Sequence, residues 1–131
     1  MRRDVPAVRI LPMSEKRRGF RGRSIEDVQL QCFLRDLPRS VETGDYFFCH
    51  AGIRPGVPLN RQDPEDLIWI RDSFLNFAGL HPKVVVHGHT PSPEPEVMAN
   101  RVNVDTGAFR TGVLTALVIE GADKRIMQVA G

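Results

Sequence analysis

Twice in this sequence a short run of strand-forming apolar residues ends in a histidine followed by small residues. The runs are Tyr46-Phe47-Phe48-Cys49-His50-Ala51-Gly52 and Val84-Val85-Val86-His87-Gly88-His89. Apolar runs without polar alternation, bounded by turn residues, suit strands covered on both faces. A chain with two of them must build layers on both sides of a sheet. The carboxyl ends of sheet strands are where loops gather polar groups into a cleft. Each run delivers a histidine there, beside glycine, which lets another backbone or a ligand approach closely.

The rest of the pattern supplies the cover. Ser24 is placed to cap a helix that carries Ile25, Val28, Cys32 and Phe33 on one face and closes at Leu37-Pro38. Thr43-Gly44-Asp45 reads as a turn. Asp63-Pro64 starts a second helix, with Asp as cap and Pro in the first turn; Leu67, Ile70 and Phe74 form its buried stripe and Gly79 ends it. A third strand is expected over Arg101–Asp105, a fourth over Leu114–Ile119 and a fifth over Ile126–Val129. Five strands and two main helices result: an early α/β unit, then an antiparallel meander.

Length and composition narrow the classes. One domain fits in 131 residues, and 41% apolar with 26% charged residues is ordinary for a globular chain. No apolar run approaches the ~20 residues of a membrane-spanning helix, and no membrane partner is expected. Residues 1–23 carry eight basic and two acidic residues (+6), against ten basic and fourteen acidic in the other 108 (−4). This basic arm is read as a solvated, poorly ordered terminus. The arm lacks interleaved aromatics beyond Phe20 and the body is acidic, so nucleic acid is not expected as a partner. Two cysteines are too few for a disulfide scaffold and match no zinc spacing. Without a secretory h-region, a cytoplasmic location is the default.

The residues that could carry chemistry sit next to the two runs. His50 and His89 are candidate metal ligands, a hydrogen bond that caps the strand end being the plain alternative for each, with His87 a buried group behind them and His81 an ordinary surface residue. Arg71 follows Leu67-Ile68-Trp69-Ile70, which holds it at the core edge; its fork suits phosphate or carboxylate, while an ion pair with Asp66 or Asp72 is the plain alternative. Arg54, in the loop past His50, is a second candidate, with a solvated loop arginine as the alternative. Asp105 could orient a histidine or begin a tight Asp105-Thr106-Gly107 turn.

Taken together, Phe48-Cys49-His50-Ala51-Gly52-Ile53-Arg54-Pro55-Gly56, Leu67-Ile68-Trp69-Ile70-Arg71, Val86-His87-Gly88-His89-Thr90-Pro91 and Asn103-Val104-Asp105-Thr106-Gly107-Ala108 with Gly112–Leu117 resemble the C-terminal half of a calcineurin-like metallophosphoesterase. Within that family the motifs resemble most the bacterial serine/threonine phosphoprotein phosphatase branch. The resemblance spans residues 25–120. It implies part of a β-sandwich flanked by helices, within an α/β class, and residues 24–131 as half of that domain. It implies two divalent metal ions (Mn, Fe or Zn), His50 and His89 as ligands of one of them, Arg71 as the catalytic arginine on the substrate phosphate, and Arg54 assisting.

The family's Gly-Asp-x-His-Gly, Gly-Asp-x-x-Asp-Arg-Gly and Gly-Asn-His-Glu motifs are absent from this sequence. The reading is therefore of a truncated, manganese-type hydrolase, silent alone, whose missing half a partner chain could supply. Its substrate would be a phosphorylated protein or another phosphoester. The alternatives are a dinucleoside polyphosphate hydrolase of the same fold and a non-catalytic interaction module. Half a domain is also expected to leave Tyr46–Cys49 or Val84–Val86 as an exposed edge strand.

Overall fold

The computed structural model describes residues 25–131. The basic arm and the Ser24 cap fall outside them. The chain divides after Asp36 into two units. The described part of the first is one helix, α1 (Ile25–Asp36), whose Ile25, Cys32 and Phe33 are exposed. It ends before Leu37-Pro38, as the restricted conformation of a residue preceding proline requires.

The second unit, Leu37–Gly131, is built on a five-stranded sheet in the order β1-β2-β3-β5-β4. Its strands are β1 (Ser40–Thr43), β2 (Tyr46–Cys49), β3 (Val84–His87), β4 (Glu96–Val97) and β5 (Arg101–Asn103). β2, β3 and β5 are parallel, with Phe47 opposite Val85 and Val85 opposite Arg101. β1 and β4 are antiparallel edges. The two apolar runs are therefore interior strands, each paired on both sides, and the expected exposed edge is not there. The Thr43-Gly44-Asp45 turn makes a hairpin with a polar strand, β1, that has no apolar signature; β4 was hidden in the proline-rich loop. A second, two-stranded sheet pairs β6 (Val113–Glu120) with β7 (Asp123–Ala130). The described residues thus hold seven strands rather than five. The third predicted strand does not join the final hairpin but lies parallel to β3.

Alternation sends the strands' side chains into two layers. On one face, Phe47 and Val85 pack with Ala51, Ile53, Leu67, Ile70 and Phe74. On the other, Tyr46, Val86 and Val102 pack with Val104 and with Leu117 and Ile119 of β6. The result is a mixed α/β unit, with helices on one side of the sheet and a hairpin on the other.

The helix expected from Asp63 to Gly79 is broken. Asp63 caps α2 (Pro64–Trp69), accepting from the Glu65 N–H at 2.8 Å. Ile70 and Arg71 then leave helical geometry (φ −59, ψ 143 and φ −133, ψ −101), and α3 runs only over Asp72–Leu75. Leu67, Ile70 and Phe74 are nonetheless all buried, as the stripe demanded. A short helix, α4 (Ala108–Thr111), precedes β6. Among the described residues no helix is long and apolar enough to cross a membrane.

Candidate active site

The parallel register of β2 and β3 carries their following loops to the same end of the sheet. The Gly88 N–H donates to His50 O at 2.9 Å, so the two histidine loops are joined backbone to backbone. The Ala51 N–H donates to Leu67 O at 2.8 Å, which brings the end of α2 against the same loop. Glycine is required at one point here, and a second leaves little room for a side chain. A Cβ on Gly52 would lie 2.2 Å from the Phe74 ring, and one on Gly88 would lie 3.2 Å from Asp105 Cβ.

His50 Nε2 and His89 Nδ1 face each other at 3.1 Å. The Trp69 ring lies edge-on to His89, with centroids 5.5 Å apart. Burial lowers the proton affinity of His89, and the positive charge of Arg71 and the His50 ring add to the effect, with Asp105 opposing. His89 is therefore held toward the neutral imidazole, the form that binds metals. Arg71 is exposed and forms no ion pair among the described residues. The break after α2 leaves it as the residue that precedes α3.

The other arginine is committed elsewhere. Arg54 donates from Nε and Nη2 to the two carboxylate oxygens of Asp66, both at 2.7 Å, and its backbone N–H to Gln62 at 2.7 Å. The Asp66 ion pair foreseen as the plain alternative for Arg71 thus belongs to Arg54. Asp105 begins the tight turn, accepting from the Gly107 N–H at 2.9 Å. His81 is not a plain surface residue: its ring stacks on Phe74 and Phe77 at 5.5 and 5.0 Å.

His87 is buried, as expected, with its ring edge-on to Phe74 at 4.8 Å. What sequence reading missed is its neighbour. Arg101 is only 4% exposed and bonds Glu96 at 2.7 Å and His87 at 3.3 Å. No periodic signal betrays a buried charge; the register opposite Val85 could have.

The fit of this site to a metal follows from its donors. Two nitrogens about 2.0–2.1 Å from one ion, at roughly 90–110°, stand about 2.8–3.4 Å apart. The observed 3.1 Å fits two corners of one coordination shell. Among the described residues no group of three or more His, Cys, Asp or Glu side chains is gathered that could hold an ion by itself.

No protein-family model matches the chain. It is similar to the bis(5'-nucleosyl)-tetraphosphatases PrpE [asymmetrical] of Bacillus thuringiensis (strain Al Hakam) and Bacillus cereus (strain AH820). Each is 35% identical over 86 residues, covering 53% of this chain and 34% of the relative. The chain spans about a third of the length of these curated relatives. Among solved structures it is similar to one assigned as a diadenosine tetraphosphatase, with a TM-score of 0.60, 20% identity, and coverage of 76% of this chain and 55% of that one. At that identity the likeness is one of fold. The named relatives are hydrolases of phosphate-linked nucleosides, which agrees with the expected enzyme class at that coarse level.

Proposed function

We propose that this chain carries part of the active site of a metal-dependent phosphoester hydrolase. His50 Nε2 and His89 Nδ1 would hold one divalent ion, and Arg71 the substrate phosphate. The observation that carries this reading is the 3.1 Å convergence of two imidazole nitrogens with an arginine that has no ion pair among the described residues and whose charge acts on one of them. When bound, a divalent ion supplies Lewis-acid polarisation of phosphoryl oxygens and a hydroxide at neutral pH. The guanidinium of Arg71 has donors free for two phosphate oxygens and charge to offset what builds up on the transferring group. Arg54 is reserved for a lesser role, because Asp66 occupies two of its donors. The remaining ligands, including those of any second ion, would come from outside residues 25–131, a partner chain being one source.

Two substrate classes are proposed. The relatives' names support a dinucleoside polyphosphate; the sequence motifs support a phosphoserine or phosphothreonine protein. Equilibrium binding of both to the manganese-loaded chain discriminates them.

The site itself is tested by calorimetric titration with manganese and zinc. Two imidazoles leave most positions to water, where catalytic zinc usually has three protein ligands. We therefore expect affinity weaker than about micromolar, abolished by either His50→Ala or His89→Ala. Heats that survive both variants, or tight binding of two ions, would overturn the reading.

A further inference from the structure

His89 holds a backbone conformation that needs support. Its φ is +69, the only positive value at a non-glycine among the described residues. The Thr90 N–H donates to Gly88 O at 2.8 Å, closing a three-residue turn around His89. This is the positive-φ γ-turn, a rare and strained form. Both carbonyls that bound the turn are tied down. Thr90 O accepts from Asn103 Nδ2 at 3.0 Å. Gly88 O, besides Thr90, lies 3.2 Å from Nδ1 of His87.

Whether His87 can donate there depends on which ring nitrogen carries its proton. Its Nε2 faces Nη1 of Arg101 at 3.3 Å. A guanidinium has only donors. Nε2 must then be the acceptor, which leaves the proton of the neutral ring on Nδ1, aimed at Gly88 O. Arg101 is held for this by Glu96, whose Oε2 accepts from the same Nη1 at 2.7 Å and also from Asn103 Nδ2 at 3.3 Å.

We propose that Arg101 is a positioning residue: by donating to His87 Nε2 it fixes the Nδ1–H tautomer, whose hydrogen bond to Gly88 O holds the turn that points His89 Nδ1 at His50. The consequence for metal binding rests on the function proposed above; the tautomer and the turn rest on this network alone. The path runs through His87 and Arg101, both buried, with Glu96 half-buried at its outer end. It explains why an arginine is buried at a strand position that otherwise packs core.

Imidazole 15N spectra of the whole chain at pH 7 test the central step. His87 should show a protonated Nδ1 and a lone-pair Nε2; the reverse assignment overturns the proposal. Replacing the ion pair together, Arg101→Met with Glu96→Gln, should erase the Nδ1–H preference. It should also weaken zinc binding about 10- to 100-fold, the usual effect of losing a group that orients a ligand. His87→Asn keeps a donor close to the Nδ1 position and should retain most of the zinc affinity. His87→Phe fills the same space without a donor and should lose it; equal binding by both would reduce His87 to packing and overturn the role. The His87 pair and the wild-type spectrum decide the matter even if the double variant fails to fold. An Nδ1–H tautomer in a wild-type chain that binds no zinc would remove the metal reading and leave the turn device standing.

Discussion

Arg71 is the side chain that the proposed chemistry asks most of, and its freedom comes from its neighbours. Asp66, the acid five residues back, is bonded by Arg54. In the complete metal-loaded enzyme Arg71→Ala should cut turnover by roughly 10²–10³-fold, a loss of about 3–4 kcal/mol, as for removal of one transition-state donor. Arg71→Lys should recover only part, since an ammonium cannot bind bidentately. Steady-state kinetics of the two variants check this; unchanged turnover would return Arg71 to the surface. Two groups shifted by burial give further tests. Burial pushes the Cys49 thiol up to about 12. At pH 8 about one Cys49 in 10⁴ is then thiolate, so thiol reagents should modify the exposed Cys32 and leave Cys49 at least a hundredfold slower. Burial likewise lowers His87 from 6.5 to about 4, with Arg101 contributing and Gly88 O opposing. The unfolded chain binds this proton more readily. The associated stability, on the order of 3 kcal/mol, is whole above pH 6.5 and is lost as pH falls toward 4. Urea unfolding at pH 7 and pH 4.5 measures it, and equal midpoints would contradict it.

At the scale of elements, the helix break between α2 and α3 sets the backbone at Arg71, and nothing in the sequence announces it. No proline or glycine lies between Pro64 and Gly79. The apolar stripe at Leu67, Ile70 and Phe74 is satisfied by a continuous helix and by a broken one alike. Burial fixes which residues point inward; it does not fix the backbone between them. Asp63 was legible because a cap is a local device, and Asp63→Ala should cost about 1 kcal/mol in thermal unfolding. β2 and β3 were legible because unbroken apolar runs have few other uses. β1 and β4 were not, because edge strands need no apolar signature. The histidine pair was legible as strand–His–Gly repeats, whereas the Arg101–Glu96 pair, formed across a hairpin, leaves no periodic mark. Gly52 ties element to site: at φ +154, with Phe74 where a Cβ would go, Gly52→Ala should destabilise by at least about 2 kcal/mol. A melting temperature within a degree of the parent chain's would show that the His50 loop tolerates the change.

At the scale of the whole molecule, the described residues bring His50 and His89 together and set the charge of Arg71 near His89, but gather no group of three or more side chains that could hold an ion by itself. We therefore expect no hydrolysis of para-nitrophenyl phosphate by the purified chain with manganese. Turnover lost on His50→Ala would mean that the shell is completed in the chain or by a second copy. The account's central claim is that His50, His89 and Arg71 form one site. Paramagnetic broadening by manganese, followed residue by residue in NMR spectra, tests it most directly, because the effect is confined to groups close to the ion. The side-chain signals of His50, His89 and Arg71 should broaden together at the lowest manganese concentrations, ahead of Arg54 and Arg101. Broadening of the two histidines at different concentrations, or of both with Arg71 untouched, would contradict the account.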